Sequence, residues 1–201
     1  MKPLALAACR AAAGWRQSAL LCVAALLAAC ATMQVAPRDP QPFDLLGRVL
    51  VTYSGGSVTA NVRWTHDSER DEIWLMTPTG QTLAHIVDSP SGAVLTRADQ
   101  QQYRAGSVEA LTRQALGWAL PLNLLQYWVR GMPAPGTPPT AVERGAGDRL
   151  AAFTQNGWRV VLTYHTEGEL AGKVRRVDLN DGANEIRFVV DTWRDAGAGA
   201  L

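Results

Sequence analysis

Between residues 57 and 65 the chain alternates without a break. Val58, Ala60, Val62 and Trp64 fall on one side, and Thr59, Asn61 and Arg63 on the other. A period of two predicts a strand with one buried face. Leu45–Tyr53 is a second apolar strand pattern, interrupted at Gly47-Arg48, and Ser54-Gly55-Gly56 between the two reads as a hairpin turn. His66–Arg70 reads as a charged turn. Glu72–Thr77 and Gln81–Val87 follow as strands joined through Pro78-Thr79-Gly80, and Ala93–Arg97 and Gln101–Ala105 form a further short pair.

The period then changes. Ser107 is placed to cap a helix, Glu109 suits its N-terminal dipole, and Val108, Leu111, Ala115 and Leu116 share one helical face ending at Gly117. Pro121 starts a second helix carrying Leu122, Leu125 and Val129, with Leu124 and Trp128 beside them; Gly131 and Pro133 stop it. Gly131–Gly147 reads as a loop rich in proline and glycine. Strand patterns return at Arg149–Gln155, Trp158–Tyr164, Lys173–Leu179 and Glu185–Trp193, with hairpin turns at Asn156-Gly157 and Asn180-Asp181-Gly182. About ten consecutive strands with short turns are antiparallel and must curl into a barrel or stack as a sandwich. A single helical pair between two strand blocks has to cover an open face or plug an end. No internal repeat or second domain is visible.

The two ends of the chain read differently. Lys2, Arg10 and Arg16 precede an apolar run, Ala19–Leu27, that closes on Leu27-Ala28-Ala29-Cys30. That is the layout of a secretory signal peptide over residues 1–29, too short to cross a bilayer, which needs about 20 apolar residues. Its last four residues resemble the bacterial lipobox, in which the cysteine is acylated after cleavage. Cys9 and Cys22 leave with the signal, so the exported chain retains only Cys30 and has no disulfide framework. Ala31 follows the cysteine; among bacterial lipoproteins the absence of Asp there favours the outer membrane. Residues 30–42 form the lipidated cysteine and an extended tether with Pro37, Pro40 and Pro42. The twelve residues of the tether would reach roughly 40 Å at full extension. Residues 43–195 are the domain, and 196–201 a flexible tail of small residues.

Candidate chemistry is sparse. The net charge is +1 with acids and bases interspersed, which points away from nucleic acid. His66, His85 and His165 are not spaced as metal ligands, and no serine sits in a nucleophile elbow. Gly168–Val174 resembles a phosphate loop but is one residue short and lacks the hydroxyl residue after Lys173. An enzyme, a resident metal and a cofactor are therefore not expected. What stands out is apolar capacity: Trp64, Trp74, Trp118, Trp128, Trp158 and Trp193 all lie in the domain. A curled sheet under a helical cover either packs solid or encloses a ligand cavity, and the pattern leaves both open.

The spellings carry more. Phe43-Asp44-Leu45-Leu46-Gly47-Arg48-Val49, Val62-Arg63-Trp64, Thr77-Pro78-Thr79-Gly80-Gln81-Thr82, Leu116-Gly117-Trp118-Ala119-Leu120-Pro121-Leu122, Tyr127-Trp128-Val129-Arg130-Gly131-Met132-Pro133 and Gln155-Asn156-Gly157-Trp158 together resemble the LolB family of outer-membrane lipoprotein receptors, in order and spacing, from Phe43 to Trp193. The resemblance implies a mainly β fold, an unclosed antiparallel barrel of about 10–11 strands with a helical lid inserted between two strand blocks. It also implies a monomeric acceptor that takes lipoproteins from the soluble carrier LolA and inserts them in the outer membrane. Carried over by position, Leu116, Trp118, Leu122, Leu125 and Trp128 belong to the lid, the Trp64 face lines an acyl-chain cavity, and Gly47-Arg48 opens the first strand. The family's Pro-x-Gly loop carries a membrane-directed leucine at x. Here Pro78 and Gly80 flank Thr79, so Leu75, Met76 or Leu83 would have to supply that contact. Two rival readings of the same chain are a lipocalin-like lipoprotein holding a small apolar molecule and a structural envelope lipoprotein with a packed core.

Overall fold

Tight hairpins built on local turn chemistry string eleven strands into one sheet. In the computed structural model, which describes residues 37–38 and 41–195, these are β1 (Phe43–Tyr53), β2 (Gly56–His66), β3 (Asp71–Met76), β4 (Thr82–Ser89), β5 (Gly92–Arg97), β6 (Gln102–Ala105), β7 (Thr140–Arg144), β8 (Leu150–Gln155), β9 (Trp158–Tyr164), β10 (Val174–Asn180) and β11 (Glu185–Asp195). The signal segment, Cys30, most of the tether and the tail lie outside the described residues. The turn at Asn156-Gly157 has φ of 49° and 82°, the left-handed pair that a two-residue hairpin needs.

The strand order is β6-β5-β4-β3-β2-β1-β11-β10-β9-β8-β7, antiparallel throughout. The first and last strands meet in the middle of the sheet, Phe43 opposite Asp195 and Thr52 opposite Glu185. The free edges are β6 and β7, so the sheet curls without closing. The expected opening at Gly47-Arg48 is not found. β1 runs through it and pairs on both sides, with only a register shift between Leu46 and Gly47 on the β11 side. The glycine is required there because a Cβ would overlap the Val189 carbonyl oxygen. His66 is corrected too. It ends β2 fully buried rather than lying in a charged turn, as the alternation of Val58 to Trp64 implies when continued by two residues.

The chain segment between the two edges supplies α1 (Val108–Leu116) and α2 (Leu122–Trp128). Ser107 accepts the Ala110 N–H at the start of α1, and Gly117, at φ 84°, returns its N–H to Arg113. Thr112 ties α1 to the connection leading into α2, its hydroxyl donating to Val108 and accepting from the Leu120 N–H. The apolar faces of both helices are buried in the same core as the concave side of the sheet. β7 lies inside the segment read as loop. All five of its residues are exposed, so no hydrophobic period marks it, and pairing with β8 defines it.

Candidate functional site: an apolar cavity beneath the helices

Side chains at every second position of β1 and β2 enter the concave side: Val49, Val51 and Tyr53, then Val58, Ala60, Val62 and Trp64. Ile73 and Leu75 of β3, Ala84 and Ile86 of β4, and Ile186 and Phe188 of β11 continue the wall. Ala115 and Leu116 of α1, Trp118 and Leu120 of the connection, and Leu122 and Leu125 of α2 form the roof. The cavity, open at one end, is about 360 Å³, the size range of small-ligand sites. Among the described lining residues Arg97 alone carries a charge. It sits at the end of β5, opposite Ala84 of β4.

The cavity has a wet end and a sealed end. Val58 and Leu83 are 43% and 39% exposed although they line it, and both stand where β2 and β4 begin. Tyr53 and Arg97 end their strands at this mouth, and Leu75 stands one residue before the end of β3. The Pro78-Thr79-Gly80 turn also lies here, exposed, with the Thr77 and Thr79 hydroxyls 2.8 Å apart and the Gly80 N–H bonded to the Thr77 carbonyl. Leu75 and Leu83 are therefore rim residues, on strands that the turn joins. At the other end Trp64 is buried, with Phe43 edge-on at 4.9 Å and its indole N–H donating to Asp71.

Five of the expected lid and cavity residues, Trp64, Leu116, Trp118, Leu122 and Leu125, line this space together. Trp128 does not, and is corrected. It is fully buried on the other side of α2, edge-on to Phe153 at 6.3 Å, with its indole donating to Gln155 Oε1 at 2.8 Å. Gln155 also accepts the Ala134 N–H and donates to the Ala134 and Thr137 carbonyls, so it fastens the loop after α2 to β8. Trp128, Phe153, Val160, Leu162, Val177 and Leu179 belong to the close-packed part of the core. The cavity is thus one-sided, under β1 to β5 and β11. Gln155 follows an alternating apolar run and precedes a turn, a position at which its burial has no local signature.

The tether also differs from a free linker. The Tyr127 hydroxyl donates to the Pro37 carbonyl at 2.7 Å, Arg130 donates to the Gln41 carbonyl at 2.8 Å, and Arg38 pairs with Asp71 and Asp88.

Comparison with known proteins agrees with this geometry. Residues 41–193 match the family model described as "Outer membrane lipoprotein LolB". An "Outer-membrane lipoprotein LolB" of Azoarcus sp. (strain BH72) is 33% identical, covering 88% of this chain and 94% of that protein. One of Chromobacterium violaceum is 32% identical over 89% and 99% respectively. A third, of Thiobacillus denitrificans, is 32% identical over 90% and 98%. With the strand–helix–strand order, the unclosed sheet and the roofed cavity all in place, the chain belongs to the LolB family of outer-membrane lipoproteins.

Proposed function

We propose that the roofed cavity holds the acyl chains of lipoprotein cargo, which this outer-membrane lipoprotein receives from the carrier LolA and passes to the membrane to which acyl chains on Cys30 anchor it. The observation that carries the reading is the lining itself. It is apolar along its length and wet only at one mouth, and a packed-core structural lipoprotein has no use for such a space. An acyl chain gains about 0.8 kcal/mol for each CH₂ it buries. A difference of about 1.4 kcal/mol between carrier and acceptor biases a transfer tenfold. Small differences in lining therefore drive cargo downhill with no reaction catalysed and no nucleotide consumed. Arg97 at the rim suits the polar end of such a cargo, since a guanidinium donates to ester and amide carbonyls while its stem covers apolar surface.

Transfer of a fluorescent lipoprotein from LolA to the purified domain tests the reading. The label is expected to move to the domain and to remain there until liposomes are added. Retention by LolA under all conditions would overturn it. A co-purified small apolar molecule that blocks uptake without being displaced would favour the lipocalin-like alternative.

A further inference from the structure

The period of β4 buries Ala84, Ile86 and Asp88, and continued backwards it would turn Leu83 away from the cavity. The structure turns it in. Leu75 of β3 stands opposite Ala84 and Met76 opposite Thr82, so Leu83 is the extra residue of a β-bulge. Bulges at barrel rims re-aim side chains. Here the bulge brings Leu83 to the mouth of the cavity, where it lines the opening and stays exposed, as Val58 of β2 does. Arg97 stands beside Leu83, because the next residue, Ala98, donates its N–H to the Leu83 carbonyl at 3.1 Å. The Arg97 backbone is fixed by the turn after β5: its N–H donates to the Gln101 carbonyl and its carbonyl accepts from the Gln100 N–H, both at 2.9 Å. Its side chain is exposed. Arg48, Arg63 and Arg187 each meet an aspartate at 3.1 Å or less. Among the described residues Arg97 meets no carboxylate, and Asp99 in the same turn accepts the Gln101 N–H.

We infer that Val58, Leu83 and Arg97 form a lip that docks the mouth on an anionic phospholipid surface, the two aliphatic side chains entering the hydrocarbon edge and the guanidinium taking a lipid phosphate. The inference rests on the proposed delivery of acyl chains to the membrane and names the partner at that step. The lip has the layering of a bilayer leaflet. A long arginine stem reaches the phosphate level while apolar groups beside its base lie deeper. The apolar lining runs out through Val58 and Leu83, so a docked mouth leads an acyl chain from the cavity into hydrocarbon without crossing water. A guanidinium bond to phosphate is charge-assisted and about twice as strong as one to a neutral carbonyl. A lipid phosphate therefore takes Arg97 from the polar end of the cargo and favours release at the membrane. Thr79, on the turn between β3 and β4, has no aliphatic side chain to insert; the bulge places Leu83 to do so.

The test needs no cargo. The exported chain carrying Cys30→Ser and Thr79→Cys has a single thiol, at the mouth. A fluorophore on it is read against vesicles that hold a headgroup quencher. Quenching is expected to be about fivefold greater with equal parts phosphatidylglycerol and phosphatidylcholine than with phosphatidylcholine alone, the gain of one cation at an anionic surface. Arg97→Gln is expected to abolish that preference, whereas Arg104→Gln, which removes the same charge from an exposed site on β6, retains it. Leu83→Ser is expected to lower quenching about tenfold with either vesicle, and Val58→Ser serves in its place if that variant does not fold. Equal behaviour of Arg97→Gln and Arg104→Gln, or undiminished quenching with the serine variants, would overturn the lip. Binding of LolA to the labelled mouth with no quenching by either vesicle would give the rim to the carrier and overturn it as well. The expected vesicle results without any transfer of cargo from LolA would refute the acyl-chain reading of the cavity and leave the lip standing.

Discussion

The Trp64 indole nitrogen donates to Asp71 Oδ1 at 2.6 Å, and the two side chains stand side by side on the concave face of neighbouring strands β2 and β3 at the closed end of the barrel. Trp64 lines the cavity, whereas Asp71 belongs to the cluster that holds Arg38. A single hydrogen bond thus joins the floor of the ligand space to the carboxylate that pairs with Arg38. Trp64→Phe is expected to keep the fold and to cost about 1.5–3 kcal/mol, the usual scale for a hydrogen bond to a charged group. Urea unfolding followed by circular dichroism gives the value, and a loss under about 0.5 kcal/mol would show that the bond contributes nothing net.

Leu116 sits in the last turn of α1, lining the cavity but only partly buried. Leu116→Asn is expected to reduce cargo uptake from LolA about tenfold while lowering the melting temperature by only a few degrees. An unpaired amide facing an acyl chain costs roughly 1–3 kcal/mol. Unaltered uptake would show that acyl chains do not pass this side chain.

Thr79 is exposed at the mouth, its hydroxyl engaged with Thr77. A buried leucine gains roughly 1.5–3 kcal/mol over an exposed one. Thr79→Leu is therefore expected to speed release of bound cargo into liposomes about tenfold and to leave uptake from the carrier unaltered, and Thr79→Glu to slow release. If neither variant alters liposome delivery, the membrane contact belongs to the rim leucines Leu75 and Leu83.

Tyr164 donates its hydroxyl to the Leu150 carbonyl at 2.7 Å, and burial pushes its phenol above the ordinary value of 10.0, against the pull of Arg149 over the ring. The folded chain therefore keeps a proton that the unfolded chain gives up. The stabilisation is fully present below pH 10.0 and is lost as pH rises through the folded value. Tyr164→Phe is expected to cost about 1 kcal/mol at neutral pH and to lose stability less steeply above pH 10 than the parent. Parallel stability–pH curves for the two proteins would refute this.

Cys30→Ser is expected to leave the exported chain unacylated and recovered in the soluble periplasmic fraction, whereas the parent is recovered with outer membranes. Intact mass of the mature N-terminus decides it, and a parent chain without acyl groups would remove the anchor from the scheme.

What the sequence determined by itself was local. The alternation from Val58 to Trp64 named the wall of the cavity, because a strand can present only every second residue to one side. Ser107 and Gly117 bounded α1, and Asn156-Gly157 bounded a hairpin, because caps and left-handed turns are properties of a few adjacent residues. The spelling of short segments from Phe43 to Trp193 named the family. Tertiary structure decided what depends on partners far along the chain. The pairing of β1 with β11 joins Phe43 to Asp195, and it closes over the glycine that the sequence marked as an opening. Trp128 turns to Gln155, 27 residues away, and so leaves the cavity wall to its helical neighbours Leu122 and Leu125. β7 has no period because both of its faces are exposed; only β8 makes it a strand. Arg38 reads as a tether residue until the fold sets Asp71 and Asp88 side by side and gives its charge a place to dock. Whether a curled sheet fills or stays hollow is likewise a property of the whole packing. No run of residues encodes it, because the cavity is the space that side chains from six strands, two helices and the α1–α2 connection leave between them.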